Sequence, residues 1–272
     1  MAASLSPRKL FQWYLEAGID ETIGNEPVNR YRAGEAPVVS RGRGFGNFTP
    51  TAVASARKPA SGLVPDSSDT ALRGACALAA EAATVSELQE ALSLFDGCAL
   101  KKTATNLVFG DGNPEARIVF IGEAPGAEED RQGRPFVGPS GRLLDRMLTS
   151  IELDRTKVFI SNTVFWRPPG NRNPTTTEMA ICTPFVERLL ELIDPLILVP
   201  LGGAAAKTLL AHNESIGKLR GRWFTYSTPR LPRPVRATAI FHPAYLLRTP
   251  AKKCEAWRDL LEIKRKLISL QE

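Results

Sequence analysis

Cysteine is scarce in this chain, and the four residues at 76, 98, 182 and 254 form no C-x-x-C motif. That argues against a disulfide framework and fits reduced thiols in a cytosol. No apolar run approaches the roughly 20 residues that a membrane-spanning helix needs, so no membrane partner is expected. The opening MAASLSPRKLFQWYLEAG lacks the basic-then-apolar order of a secretory signal. Histidine is limited to His212 and His242, and no internal repeat is visible. The expectation is a soluble cytoplasmic protein.

What is present is ordinary in amount and uneven in placement. Hydrophobic residues make up 43% and charged residues 24% of the 272, as in a typical globular chain. Lys and Arg outnumber Asp and Glu by 35 to 29, and the net charge of +6 favours a polyanionic partner. Yet one loop, GEAPGAEEDRQGRPFVG (122–138), gathers Glu123, Glu128, Glu129 and Asp130 directly behind the apolar run RIVFI. A solvated acidic turn is the plain explanation, and the rest of the chain must decide against it.

SPRKLFQWYLEAG reads as a short helix with Ser6 as cap and Pro7 at its first position. Residues 24–70 are rich in Gly, Pro, Ser and Arg and read as a flexible linker. Residues 1–70 are thus an N-terminal helix plus linker, and 71–272 a compact domain. TVSELQEALSLF reads as a helix with a capping box in Ser86 and Gln89. Beyond it the pattern alternates. RIVFIGE (117–123), KVFISN (157–162), LILVPLG (196–202) and RATAIFHP (236–243) read as strands. Helical patterns over 140–151, 175–193 and 203–211 separate them, and an amphipathic helix closes the chain. This predicts a three-layer α/β/α fold around a central, mostly parallel four-stranded sheet. Ligands of such sheets sit at the carboxyl ends of the strands. GEAPG, SNTVFWRPP and HPAYLLR all fall there.

Three chemistries compete for those ends. A phosphate loop is excluded, because GEAPG carries no Lys and its acid repels phosphate. Carboxylates with His242 could hold a divalent ion, but no spacing matches a metal-ligand motif, and no metal is expected. The third is a pocket for a flipped base. It needs an aromatic face, an amide to read the base edge, a group for water, an imidazole or cation for the departing anion, and an apolar wedge. Phe136, Asn162, the loop carboxylates, His242 and Leu246 supply that set.

GEAPGAEEDRQGRPFVG, SNTVFWRPP and HPAYLLR resemble, in order and spacing, the motifs of uracil-DNA glycosylases, specifically the family 4 type that usually carries an iron–sulfur cluster. The similarity covers about three quarters of the chain. It implies hydrolysis of the N-glycosidic bond of uracil in DNA, with uracil-containing DNA as partner, free uracil as product, a monomeric enzyme and a bacterial, nucleoid-associated setting. By resemblance Asn162 pairs with O4 and N3–H of uracil, Phe136 stacks on the base, and Gly122 and Ala124 contact it. Glu129 lies near the uracil 5 position, and Glu123 near the attacked sugar carbon. His242 donates to O2 of the leaving base. Leu246 is the wedge, and Arg248 and Arg167 meet DNA. The solvated-loop explanation survives best for Glu128 and Asp130. Ala124 stands where family 1 enzymes place the Asp that handles water, so the choice of water-orienting carboxylate stays open. So does a non-catalytic binder of uracil-containing or abasic DNA.

The chain departs from family 4 at the cluster. Phe95 and Trp166 occupy two of the four ligand places, and Cys98 and Cys182 remain. A cluster normally needs four thiolates. The expectation is no cofactor, with the two rings filling the volume, unless Cys76 or Cys254 reaches the site.

Overall fold

The computed structural model describes residues 67–271. The helix expected over 6–18, and the linker up to residue 66, lie outside the described residues. The first helix, α1 (Ser67–Glu81), starts within the last residues read as linker. Next comes α2 (Val85–Leu94), whose cap sits two residues before the expected one. Thr84 Oγ1 accepts from the Glu87 amide, and the Glu87 carboxylate accepts from the Ala83 amide. Thr84-x-x-Glu87 satisfies the cap spacing as well as Ser86 with Gln89, and it leaves Val85 to start the helix.

Among the described residues one sheet is formed by β1 (Gly110–Gly112), β2 (Ile118–Gly122), β3 (Phe159–Asn162), β4 (Ile197–Pro200), β5 (Phe224–Tyr226) and β6 (Val235–Ala237). Their order is β1-β3-β2-β4-β6-β5, with a parallel centre and antiparallel β1 and β5 at the edges. The sheet therefore has six strands rather than the expected four. The two extra strands are three residues each, too short for an alternating pattern to register.

Between and after the strands run α3 (Ala127–Gln132), α4 (Pro139–Thr149), α5 (Thr176–Ile193), α6 (Gly203–Leu210), α7 (Ile216–Leu219), α8 (Pro243–Arg248) and α9 (Lys253–Gln271). Side chains of β2 alternate between two cores. Val119 and Ile121 pack with Leu88 of α2 and with Phe185 and Leu189 of α5. Ile118 and Phe120 pack with Leu144 of α4, Leu246 of α8 and Ile263 of α9. Both faces are covered, so the strand is apolar throughout, and the three-layer arrangement is as expected.

Parallel register gathers the functional ends. Gly122 pairs with Asn162 across β2 and β3. The Gly202 amide donates to Ile240 O at 2.8 Å, which draws the chain leading to His242 against the end of β4.

Candidate active site

Asn162 ends β3 with only 1% of its surface exposed, and its Nδ2 has no hydrogen-bond partner. A buried donor without a partner is uncommon in a native fold and points to a ligand. Opposite it, Gly122 carries no side chain for a steric reason. A Cβ there would lie 2.4 Å from Asn162 Oδ1 and 2.7 Å from the Phe136 ring. The amide and the ring thus meet over one glycine. The Phe136 ring is 5.6 Å from the His242 ring, tilted by 32°. Thr163, unnoticed in the sequence, ties the ends of β2 and β3 together: its amide donates to Gly122 O at 2.8 Å and its hydroxyl to Glu123 O at 2.7 Å.

His242 caps α8. Its Nδ1 accepts from the Ala244 amide at 3.1 Å, so the neutral ring carries its proton on Nε2. Burial, helped by the nearby Arg248 charge and opposed by Glu129, pushes its pKa down to about 4. At neutral pH the ring is a neutral Nε2–H donor. Glu123 is half-buried, and burial raises its carboxyl above the ordinary range. Glu123, Ala124, Gly202, His242, Tyr245 and Arg248 are among the residues lining a cleft of about 460 Å³. Phe136 and Asn162, both buried, are not among its lining residues.

The acidic loop divides into different roles. Glu129 Oε1 accepts from the Val137 amide at 3.0 Å and the Gly138 amide at 2.9 Å. The carboxylate read as catalytic is thus committed to the backbone that presents Phe136. Glu128 is exposed and paired with Arg131. Asp130 is not a solvated residue, contrary to expectation. It is buried, and Oδ1 accepts from the amides of Thr105 and Asn106.

Comparison with known proteins decides the family. A profile described as the uracil DNA glycosylase superfamily matches residues 109–261. Over 170 residues the chain is 42% identical to a type-4 uracil-DNA glycosylase of Archaeoglobus fulgidus, covering 61% of this chain and 84% of that protein. It is 41% identical over 177 residues to a type-4 uracil-DNA glycosylase of Saccharolobus solfataricus, covering 63% and 81%. A type-5 uracil-DNA glycosylase of Thermus thermophilus is 36% identical over 118 residues, covering 38% and 53%. The chain belongs to the uracil DNA glycosylase superfamily.

Among the residues that the superfamily motifs pointed to, Leu246, expected as the wedge, is not at the surface. Leu246 is 1% exposed and packs in the core under α4 and α9, whereas Leu247 beside it is 42% exposed. On a helix of six residues, sequence spacing alone does not say which of two adjacent leucines faces outward. Arg248 lines the cleft. Arg167 does not line it, but its Nε donates at 2.7 Å to Oδ1 of Asn171, which does. Arg172, also on the cleft, forks onto Glu178 and holds that carboxyl down at about 2.

The four-thiolate cluster common in family 4 of the superfamily does not fit this donor set. Cys98 and Cys182 are buried side by side; the hydrogen bond between their thiols, with burial, raises Cys182 well above its ordinary range. Phe95 and Trp166 are buried in the same core cluster. Cys76 and Cys254 are exposed. Among the described residues no three His, Cys, Asp or Glu side chains are gathered as a metal would require.

Proposed function

We propose that this chain excises uracil from DNA, hydrolysing the N-glycosidic bond to leave an abasic site. The buried, unpartnered Nδ2 of Asn162 carries the reading. Uracil presents an acceptor at O4 and a donor at N3, which one amide matches with Nδ2 and Oδ1. Cytosine presents the reverse pattern and leaves buried groups unpaired. The flipped base stacks on Phe136, and Gly122 and Ala124 give it room at the loop. As the bond from N1 to the sugar C1′ breaks, its electron pair passes to the base. His242 Nε2–H then donates to the charge developing on O2.

Water adds to C1′, and the proton it gives up ends on the departing uracil anion, which leaves as neutral uracil. Glu123 is the carboxylate suited to position the water, since it lines the cleft while Glu129 is held by two amides. Glu129 acts instead as a positioning residue for the stacking loop. Leu247 takes the wedge role, and Arg248 meets phosphate. Two thiols cannot hold a four-iron cluster, so no step runs through one.

The test is single-turnover excision by Asn162→Asp on an oligonucleotide with one uracil. An ionised carboxylate has no donor for O4, so the rate should fall by about 10²–10³-fold. Wild-type turnover in this variant would remove Asn162 from the pocket and the reading with it.

A further inference from the structure

Phe136 holds its ring over Gly122 from an unusual backbone position, with φ at +54°. A bulky residue stays in the left-handed region only where its surroundings over-determine it. Two charged side chains do so. Glu129 takes the amides of Val137 and Gly138. Arg155, from the turn between α4 and β3, takes two carbonyls, one of them the Phe136 carbonyl of the same peptide group as the Val137 amide. Its Nη2 donates to Phe136 O at 2.5 Å and its Nη1 to Pro135 O at 3.1 Å. The guanidinium is itself aimed by two carboxylates. Asp111 of β1 accepts from Nη1 at 2.6 Å, and Asp145 of α4 accepts from Nε at 2.9 Å. Gly141 closes the cage, since a Cβ there would fall 1.6 Å from Phe136 O.

We propose that Arg155 is a positioning residue for base excision, acting through Phe136. Arg155 lies outside the cleft lining and hydrogen-bonds to none of Glu123, Asn162 or His242, so its influence on chemistry has to travel through the ring it sets. The fork is what the task requires. Four acceptors around one side chain need planar, divergent donors, which a lysine ammonium cannot place at once. The inference rests on the reading of Phe136 as the stacking face.

A double-mutant cycle in the full chain separates the two ideas. Excision of uracil is measured under single-turnover conditions, at a temperature where every variant is folded, for Arg155→Lys, Phe136→Ala and the pair. Arg155→Lys should slow excision by about 10-fold with Phe136 present and by less than about 2-fold without it. Asp145→Asn, a milder surface change that loosens the aim of the guanidinium, should cost about 3-fold and lose its effect in the same background. Melting temperature should fall alike in both backgrounds, because the ion pairs with Asp111 and Asp145 stabilise the fold regardless of the ring. An equal kinetic loss with and without Phe136 would overturn the proposal. Wild-type excision by Phe136→Ala alone would remove the stacking reading, and the proposal with it.

Discussion

Glu123 and Glu129 lie six positions apart, one after β2 and one in α3, and their surroundings separate them. Glu129 spends an oxygen on two amides, while Glu123 faces the cleft with its carboxyl raised by burial. Glu123→Gln should lower the single-turnover rate by about 10²-fold or more with DNA affinity little changed. Glu129→Gln should instead weaken retention of free uracil by loosening Phe136. Equal chemical losses in both variants would contradict this division. The His242 imidazole makes a second expectation. With its folded pKa about 4 against an ordinary 6.5, the unfolded chain takes up a proton that the fold refuses. Stability from this residue is therefore intact above pH 6.5 and is lost as pH falls toward 4. An NMR titration should show the Nε2–H tautomer persisting through pH 6, and a midpoint near 6.5 would contradict it. Asn162, Phe136 and His242 could be picked out in the sequence as candidates because each lies in a motif that follows an apolar strand pattern. Arg155 and Thr163 could not, because their partners lie far along the chain and only the folded sheet brings them close.

At the scale of elements, the central strands were readable because burial on both faces writes an unbroken apolar run, as in β2. Edge strands β1 and β5 write almost nothing in three residues apiece. Helix α8 shows the other limit: the sequence pattern runs a strand through His242 and Pro243 and predicts no helix there, and the orientation of Leu246 and Leu247 depends on how α4 and α9 pack against it. The packing that joins α2 to α5 yields a prediction of its own. Phe95 meets Phe185 at 5.3 Å between ring centroids, and Trp166 packs edge-on to Phe165 at 6.5 Å. Both Phe95 and Trp166 are buried in the core cluster, so they should hold the segment by burial. Trp166→Ala should cost about 3–5 kcal/mol in urea denaturation, more than Cys98→Ser or Cys182→Ser. A purified chain carrying about four irons, and losing its fold with them, would contradict the expectation.

Over the whole molecule, a basic chain keeps one acidic loop at the strand ends that form its cleft. Part of that acid is structural, in Glu129 and Asp130, while Glu123 lines the cleft. The surrounding positive charge, with Arg172 and Arg248 on the cleft, suits a DNA backbone. No described helix is long and apolar enough to cross a membrane. The central claim is that this arrangement removes uracil from DNA. The most direct measurement incubates the chain with an end-labelled oligonucleotide containing one uracil, then treats it with alkali to break the strand at any abasic site. The account predicts a single break at the uracil position, and none in matched oligonucleotides with thymine or cytosine there. Tight binding of the uracil oligonucleotide with no alkali-sensitive product would contradict it.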